Sequence, residues 1–178
     1  SEREVLQRMV QLTERVGEQE EIETRAPQVG LTPYQVLIVA SLIEREARVP
    51  EDRAKISRVI YNRLFLGMPL AIDASLYYQQ DPSLDFSELK AIDSPYNLYL
   101  YAGLPPTPIA NPGRASIEAA LYPAANPSIG DPICDLPEGV PCIYLYYVVG
   151  DEEGRHVFAA TLEQHEANVA ESRRKGLL

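Results

Sequence analysis

Thr32-Pro33-Tyr34-Gln35-Val36-Leu37-Ile38-Val39-Ala40-Ser41-Leu42-Ile43-Glu44-Arg45-Glu46 is the stretch from which the fold can be read. Thr32 is a good N-cap and Pro33 suits the first helical turn, where a missing N–H costs nothing. The run from Val36 to Ile43 is apolar almost all round, which marks a helix buried on most of its faces rather than one lying on a surface. Two glutamates follow directly, and the helix is expected to run to Val49-Pro50. A carboxylate set against apolar neighbours has its charged form disfavoured, so its pKa rises. At 3.6 residues per turn Glu44 and Glu46 point about 160° apart, so they meet different surroundings. Glu46 lines up with Val39, Leu42 and Ile43; Glu44 lines up with Leu37, Ala40 and Ser41, where small side chains leave more room. Glu46 is therefore the stronger candidate for an acid with a raised pKa, with Glu44 as the fallback. A solvated helix end is the plain alternative for both.

Helical periodicity continues on either side of this element. Val5, Leu6, Met9, Val10, Leu12 and Val16 predict an amphipathic helix over 4–23, with a break at Pro27 and Gly30. A second helix is expected over 51–66, stopped by Gly67, and shorter ones over 73–79, 86–91 and 114–121. Ser94-Pro95-Tyr96-Asn97 and Gly103-Leu104-Pro105-Pro106-Thr107-Pro108-Ile109 are too proline-rich for regular structure. Such stiff loops present carbonyls and side chains at little ordering cost, whether to a ligand or to solvent. Residues 142–149 are rich in aromatic and β-branched types and predict a strand. A turn over 150–154 and a returning strand over 155–160 complete a hairpin. Residues 161–174 close as a helix with Thr161 as N-cap. The expected fold is α+β: mainly helical, with a small antiparallel β-hairpin.

Composition excludes several functions. A net charge of −10 makes the chain a poor partner for nucleic acid, and an anionic membrane surface would repel it too. No apolar run reaches the length of a membrane span. Ser1-Glu2-Arg3-Glu4 is charged and does not read as a signal peptide. His156 and His165 lack a third ligand, and no phosphate-cradling loop or nucleophile elbow is present, so no metal and no cofactor is expected. Cys134 and Cys142 share one Pro/Gly-rich loop over 123–141 and its edge; they are either a disulfide or two free thiols. Asn62, Arg63 and Asp73 could bind a sugar or an acidic peptide, or cap helix ends.

Read together, these segments resemble the YceG-like family of cell-wall lytic transglycosylases. The matching pieces occur in the family's order: Ala40 to Glu46; Tyr61-Asn62-Arg63-Leu64 with Gly67-Met68-Pro69-Leu70 and Asp73; Ser94 to Asn97; Gly103 to Gly113; and Tyr144 to Val148 with His156-Val157-Phe158 and His165. The resemblance implies lysozyme-like active-site logic and endolytic cleavage of peptidoglycan glycan strands between N-acetylmuramic acid and N-acetylglucosamine, leaving 1,6-anhydro ends. It implies a single Glu acid/base, assigned here to Glu46, although Ala47 stands where a lytic transglycosylase usually has Ser or Thr. Asn62, Asp73, Tyr96, Asn97, Leu104, Pro105 and Pro106 are inferred to line the groove. Residues 1–30 would then be a linking helix and 31–178 the catalytic domain. Peptidoglycan is the implied partner, peptidoglycan synthases are candidate partners, and membrane contact would come only through a segment outside this chain. The implied place is the extracytoplasmic face of the membrane, which favours the Cys134–Cys142 disulfide. A catalytically inactive glycan-binding or scaffold domain of the elongation machinery is the competing reading. A true hydrolase would want a second carboxylate across the cleft, and Asp73 is the obvious candidate.

Overall fold

The computed structural model describes every residue except 79, 82 and 129. The fold is α+β and mainly helical. Eight helices are described: α1 (Glu2–Gln19), α2 (Ile22–Arg25), α3 (Pro33–Glu46), α4 (Arg53–Phe65), α5 (Asp73–Leu76), α6 (Phe86–Ala91), α7 (Arg114–Leu121) and α8 (Leu162–Arg174). The strands β1 (Tyr146–Val149) and β2 (His156–Ala159) pair antiparallel, with Tyr147 opposite Phe158 and Val149 opposite His156.

α3 is the centre of the molecule. Thr32 caps it as expected: the Gln35 N–H donates to Thr32 Oγ1 and the Gln35 side chain accepts the Thr32 N–H, a reciprocal capping box. Val36, Val39, Ala40, Leu42 and Ile43 are wholly buried. Burying each large aliphatic side chain contributes about 1.5–3 kcal/mol, so this one helix supplies much of the hydrophobic stabilisation. It packs chiefly on α7 and α4, whose Ile117, Ala120, Ile56 and Ile60 complete the same core. With neighbours on several sides, the all-round apolar pattern of 36–43 is explained.

Several boundaries differ from the sequence reading; α5 stops at Leu76 where a helix over 73–79 is expected, residue 79 lying outside the described residues. The first helix ends at Gln19 rather than running to residue 23, because Glu21 takes a left-handed conformation (φ 53°) and the chain doubles back. Gly17 permits that reversal: a Cβ there would sit 3.3 Å from Ile22 Cγ2. α3 ends at Glu46 rather than at residues 49–50, since Ala47 is extended and Pro50 opens a separate 3-10 turn. The strand begins at Tyr146 rather than at residue 142. The Tyr144 carbonyl accepts from Asn62 and the Leu145 carbonyl from Arg63, so side chains take the carbonyls just before β1, while the Leu145 N–H still reaches the Ala159 carbonyl of β2 at 3.0 Å.

The hairpin turn needs Gly154, which adopts φ +83° and whose Cβ would fall 2.7 Å from Arg48 Cδ. Cys134 and Cys142 form a disulfide that closes the loop ahead of β1. Among the described residues no single helix is long and apolar enough to cross a membrane.

Candidate active site

The two glutamates at the end of α3 have separate environments. Glu44 accepts from Ser116 Oγ at 2.6 Å and from the Gly113 N–H at 3.2 Å. Gly113 is the N-cap residue of α7, and Glu44 takes its N–H from another helix, as a Glu at the third helical position does in a capping box. A carboxylate at a helix N-terminus is also favoured by the helix dipole.

Glu46 meets β1 and α5 instead. Tyr147 Oη donates to Glu46 Oε2 at 2.9 Å. Burial pushes the Glu46 carboxyl above its ordinary 4.5, and the charge of Asp73 adds in the same direction. The Tyr147 hydrogen bond, the Ala74 amide and the Arg45 charge oppose the rise without cancelling it. Tyr147 is itself driven well above the usual tyrosine range, first by burial and then by the Glu46 charge. Its phenol therefore stays a proton donor to Glu46 at any ordinary pH. The site thus holds a carboxyl that resists ionisation next to a donor that can steady it once ionised.

Asp73 opens α5 and accepts a short hydrogen bond from Tyr99 Oη. The segment before α5 is set by Ala71, held at φ +51° with its N–H on the Leu98 carbonyl at 2.8 Å. Tyr99 packs edge-on against Phe86, with ring centroids 6.2 Å apart, and Lys90 Nζ lies 4.2 Å from the Tyr99 centroid. Glu46, Asp73, Tyr147 and Tyr99 thus form one cluster assembled from α3, α5, β1 and the loop after α6. Of the residues singled out in the sequence, the structure brings Glu46 and Asp73 together.

The remaining site residues fall elsewhere. Asn62 is buried and donates to Asn126 Oδ1 and the Tyr144 carbonyl. Asn97, 1% exposed, donates to the Lys90 and Ile92 carbonyls and accepts from the Tyr99 and Leu100 N–H groups. The Asn97 amide is spent on backbone at both ends, and the Asn62 Nδ2 is spent on Asn126 and Tyr144. Tyr96 Oη pairs with Thr107 Oγ1 at 2.9 Å and locks the two proline-rich loops together. Ser41, buried inside α3, accepts from the Ile109 N–H at 3.0 Å and ties the second loop to the helix that carries Glu46. Leu104, Pro105 and Pro106 line a groove of about 680 Å³ with Tyr34, Tyr61 and Phe65, and neither Glu46 nor Asp73 is among its walls.

Tyr147, though part of a matching segment, and Tyr99 were not assigned to the site from the sequence. A signal existed for Tyr147: it alternates with Leu145 and Val149, and a tyrosine on an apolar strand face needs a partner for its hydroxyl. Tyr99 had no such signal, because it follows a loop without periodicity. Among the described residues no three His, Cys, Asp or Glu side chains are grouped to hold a metal ion.

The pattern of the YceG-like family matches residues 1–171. This chain belongs to the YceG-like family. It is 36% identical over 165 residues to the endolytic murein transglycosylase of Bacillus subtilis, covering 91% of this chain and 40% of that protein. It is 34% identical over 149 residues to the endolytic murein transglycosylase of Streptococcus pneumoniae, covering 80% of this chain and 24% of that one. Its fold superposes on the crystal structure of a YceG-like protein from Listeria monocytogenes with a TM-score of 0.68 at 32% identity, covering 86% of this chain and 44% of the other. The chain therefore spans less than half the length of these YceG-like relatives.

Proposed function

We propose that this chain is the catalytic domain of an endolytic lytic transglycosylase. It cuts peptidoglycan glycan strands between N-acetylmuramic acid and N-acetylglucosamine and leaves 1,6-anhydro-N-acetylmuramic acid ends. The observation that carries the reading is the Glu46 carboxyl, raised in pKa by burial and hydrogen-bonded to Tyr147. The names of the Bacillus and pneumococcal relatives agree with it.

Glu46 acts twice. As an acid it gives its proton to the glycosidic oxygen while the bond from the anomeric carbon to that oxygen breaks. A raised pKa favours the protonated form, which glycoside cleavage requires of its acid. The carboxylate left behind is held by the Tyr147 hydroxyl. It then takes the proton of the sugar's own 6-hydroxyl as that oxygen bonds to the anomeric carbon. The proton returns to Glu46 and no water is consumed, so one carboxyl does the work that hydrolases divide between two. Asp73 keeps Glu46 protonated and adds negative charge beside the positive charge that grows on the sugar ring. The Tyr99 hydroxyl fixes the direction of the Asp73 carboxylate.

The substrate is the glycan strand, and peptidoglycan synthases are the enzymes with which such an activity would work. We place it on the extracytoplasmic side of the membrane, where the Cys134–Cys142 disulfide would persist.

The test is digestion of purified glycan strands by the wild type and by Glu46→Gln, with products read by mass spectrometry. Anhydro-ended fragments from the wild type alone support the proposal. Reducing-end fragments carrying added water would make the enzyme a hydrolase with Asp73 as second carboxylate. Glycan binding without turnover would make the chain a scaffold domain.

A further inference from the structure

One buried ionisable pair has no part in the chemistry above. Asp52, at the start of α4, is 6% exposed. Its Oδ2 accepts from the His156 backbone N–H at 2.7 Å and faces His156 Nδ1 at 2.9 Å. A carboxylate only accepts, so Nδ1 carries a hydrogen. The His156 side chain is 5% exposed, too little to meet a glycan strand. Its ring stands edge to face on Tyr147, with centroids 5.3 Å apart and planes at 89°. Phe158 covers another side of the Tyr147 ring at 6.1 Å. A continuous series of contacts therefore joins the start of α4, β2, β1 and the end of α3: Asp52, His156, Tyr147, Glu46.

We propose that Asp52 and His156 are positioning residues that fix the Tyr147 ring so that its hydroxyl stays on Glu46. The proposal rests on the reading of Glu46 as the acid. The Asp52 carboxylate anchors His156 at two points, backbone and ring, so the imidazole cannot swing. The imidazole in turn blocks rotation of the Tyr147 ring away from α3. A hydroxyl free to leave would let the carboxyl drift from the reacting oxygen, and small misplacements at a reacting centre are costly. The other charged groups facing Glu46 are Asp73 on α5 and Arg45 on α3; those facing Tyr147 are Arg63 on α4 and Asp73. None of these is replaced by the variants below.

His156→Phe keeps a ring against Tyr147 and removes the tether. Asp52→Asn weakens the tether while keeping an acceptor for the His156 N–H. Each is made in the wild type and in Tyr147→Phe. Glu46 titration is followed by NMR in protein labelled with 13C at the glutamate carboxyl, the Glu46 signal being the one missing from Glu46→Gln. Turnover on glycan strands is followed in parallel.

Both variants should raise the Glu46 pKa, because a hydrogen bond favouring its charged form is loosened. The basic limb of the kcat profile should move to higher pH with it. The value of kcat should fall on the order of 10- to 100-fold with KM unchanged, as for supporting partners in other sites. In the Tyr147→Phe background, where the hydroxyl is already gone, neither substitution should move Glu46 further. A folded variant whose Glu46 titration stays put overturns the proposal, and so does a shift that persists undiminished in Tyr147→Phe. Should His156→Phe fail to fold, Asp52→Asn carries the same test. Full activity in Glu46→Gln would instead sink the catalytic reading, and the titration would still decide the tether.

Discussion

Glu44 and Glu46 stand two residues apart on one helix and serve different neighbours: Glu44 caps α7 through Ser116 and Gly113, and Glu46 takes the hydroxyl of Tyr147. The division follows from helical geometry, since successive odd or even positions turn about 200° around the axis. Each residue can therefore be removed without disturbing the partners of the other, and the consequences should differ in kind.

Replacing Glu46 with Gln should stabilise the protein near neutral pH. A carboxyl whose folded pKa is raised binds its proton more tightly in the native state. Native stability then falls as pH rises from about 4.5 towards the folded pKa. Gln has no proton to lose. Thermal melts across pH should show the variant and the wild type converging below pH 4.5, with the variant melting higher above it. An identical difference at every pH would mean that Glu46 is not held in its neutral form.

Glu44→Ala should leave Glu46 and Tyr147 in place and retain most of the catalytic turnover. It should lower unfolding stability by about 1 kcal/mol, the usual net contribution of a hydrogen bond to a protein's stability. Urea denaturation beside a glycan-strand assay separates the two effects. Abolished turnover in a stable Glu44→Ala protein would return the acid role to Glu44.

Asn97→Ala should be far more damaging than its position in a loop suggests. The amide serves two carbonyls and two N–H groups with almost no access to water. Leaving a buried backbone group unpaired costs about 1–3 kcal/mol, and several are stranded together. The expected outcome is a loss of more than about 2 kcal/mol in denaturant unfolding, accompanied by a mobile Tyr99. A wild-type unfolding curve would show that the loop holds itself without Asn97.

Reduction of Cys134–Cys142, or its replacement by two serines, should cost about 2–3 kcal/mol by the loop-entropy estimate, because the closed loop is short. The Gln164 side chain still holds the Ile133 carbonyl at 2.9 Å, so the loop should loosen without detaching. Catalytic turnover should change little, since Tyr147 is anchored from β2 and α3. Melting with and without reductant, combined with the activity assay, checks both halves.

The buried helix α3 and its N-cap were legible in the sequence because both are local: periodicity, a threonine and a proline within fifteen residues. The upward direction of the Glu46 pKa was legible for the same reason, since its neighbours on the helix face are fixed by spacing. The α+β class and the hairpin followed from residue type and turn chemistry. Tyr147 was harder to place because it lies 101 residues from Glu46 and reaches it only through the packing of β1 on the core. Asn62 and Asn97 look like sugar-binding amides in sequence, yet backbone claims both: Asn62 donates to the distant Tyr144 carbonyl, and Asn97 serves backbone groups of its own loop. The extent of β1 was overestimated for a related reason. Asn62 and Arg63 capture carbonyls that residue propensity would assign to a strand ladder.

Those two side chains also decide how the hairpin behaves. Two strands of four residues cannot stand alone in water. Here Asn62, Arg63 and Ser172 grip the Tyr144, Leu145 and Val149 carbonyls from behind. The sheet is a panel bolted to helices rather than a folding unit of its own. The Glu46 carboxyl on α3 and the Tyr147 phenol bonded to it are thereby joined in one cooperative block, so that heat, denaturant or a damaging substitution separates them only by dismantling the whole.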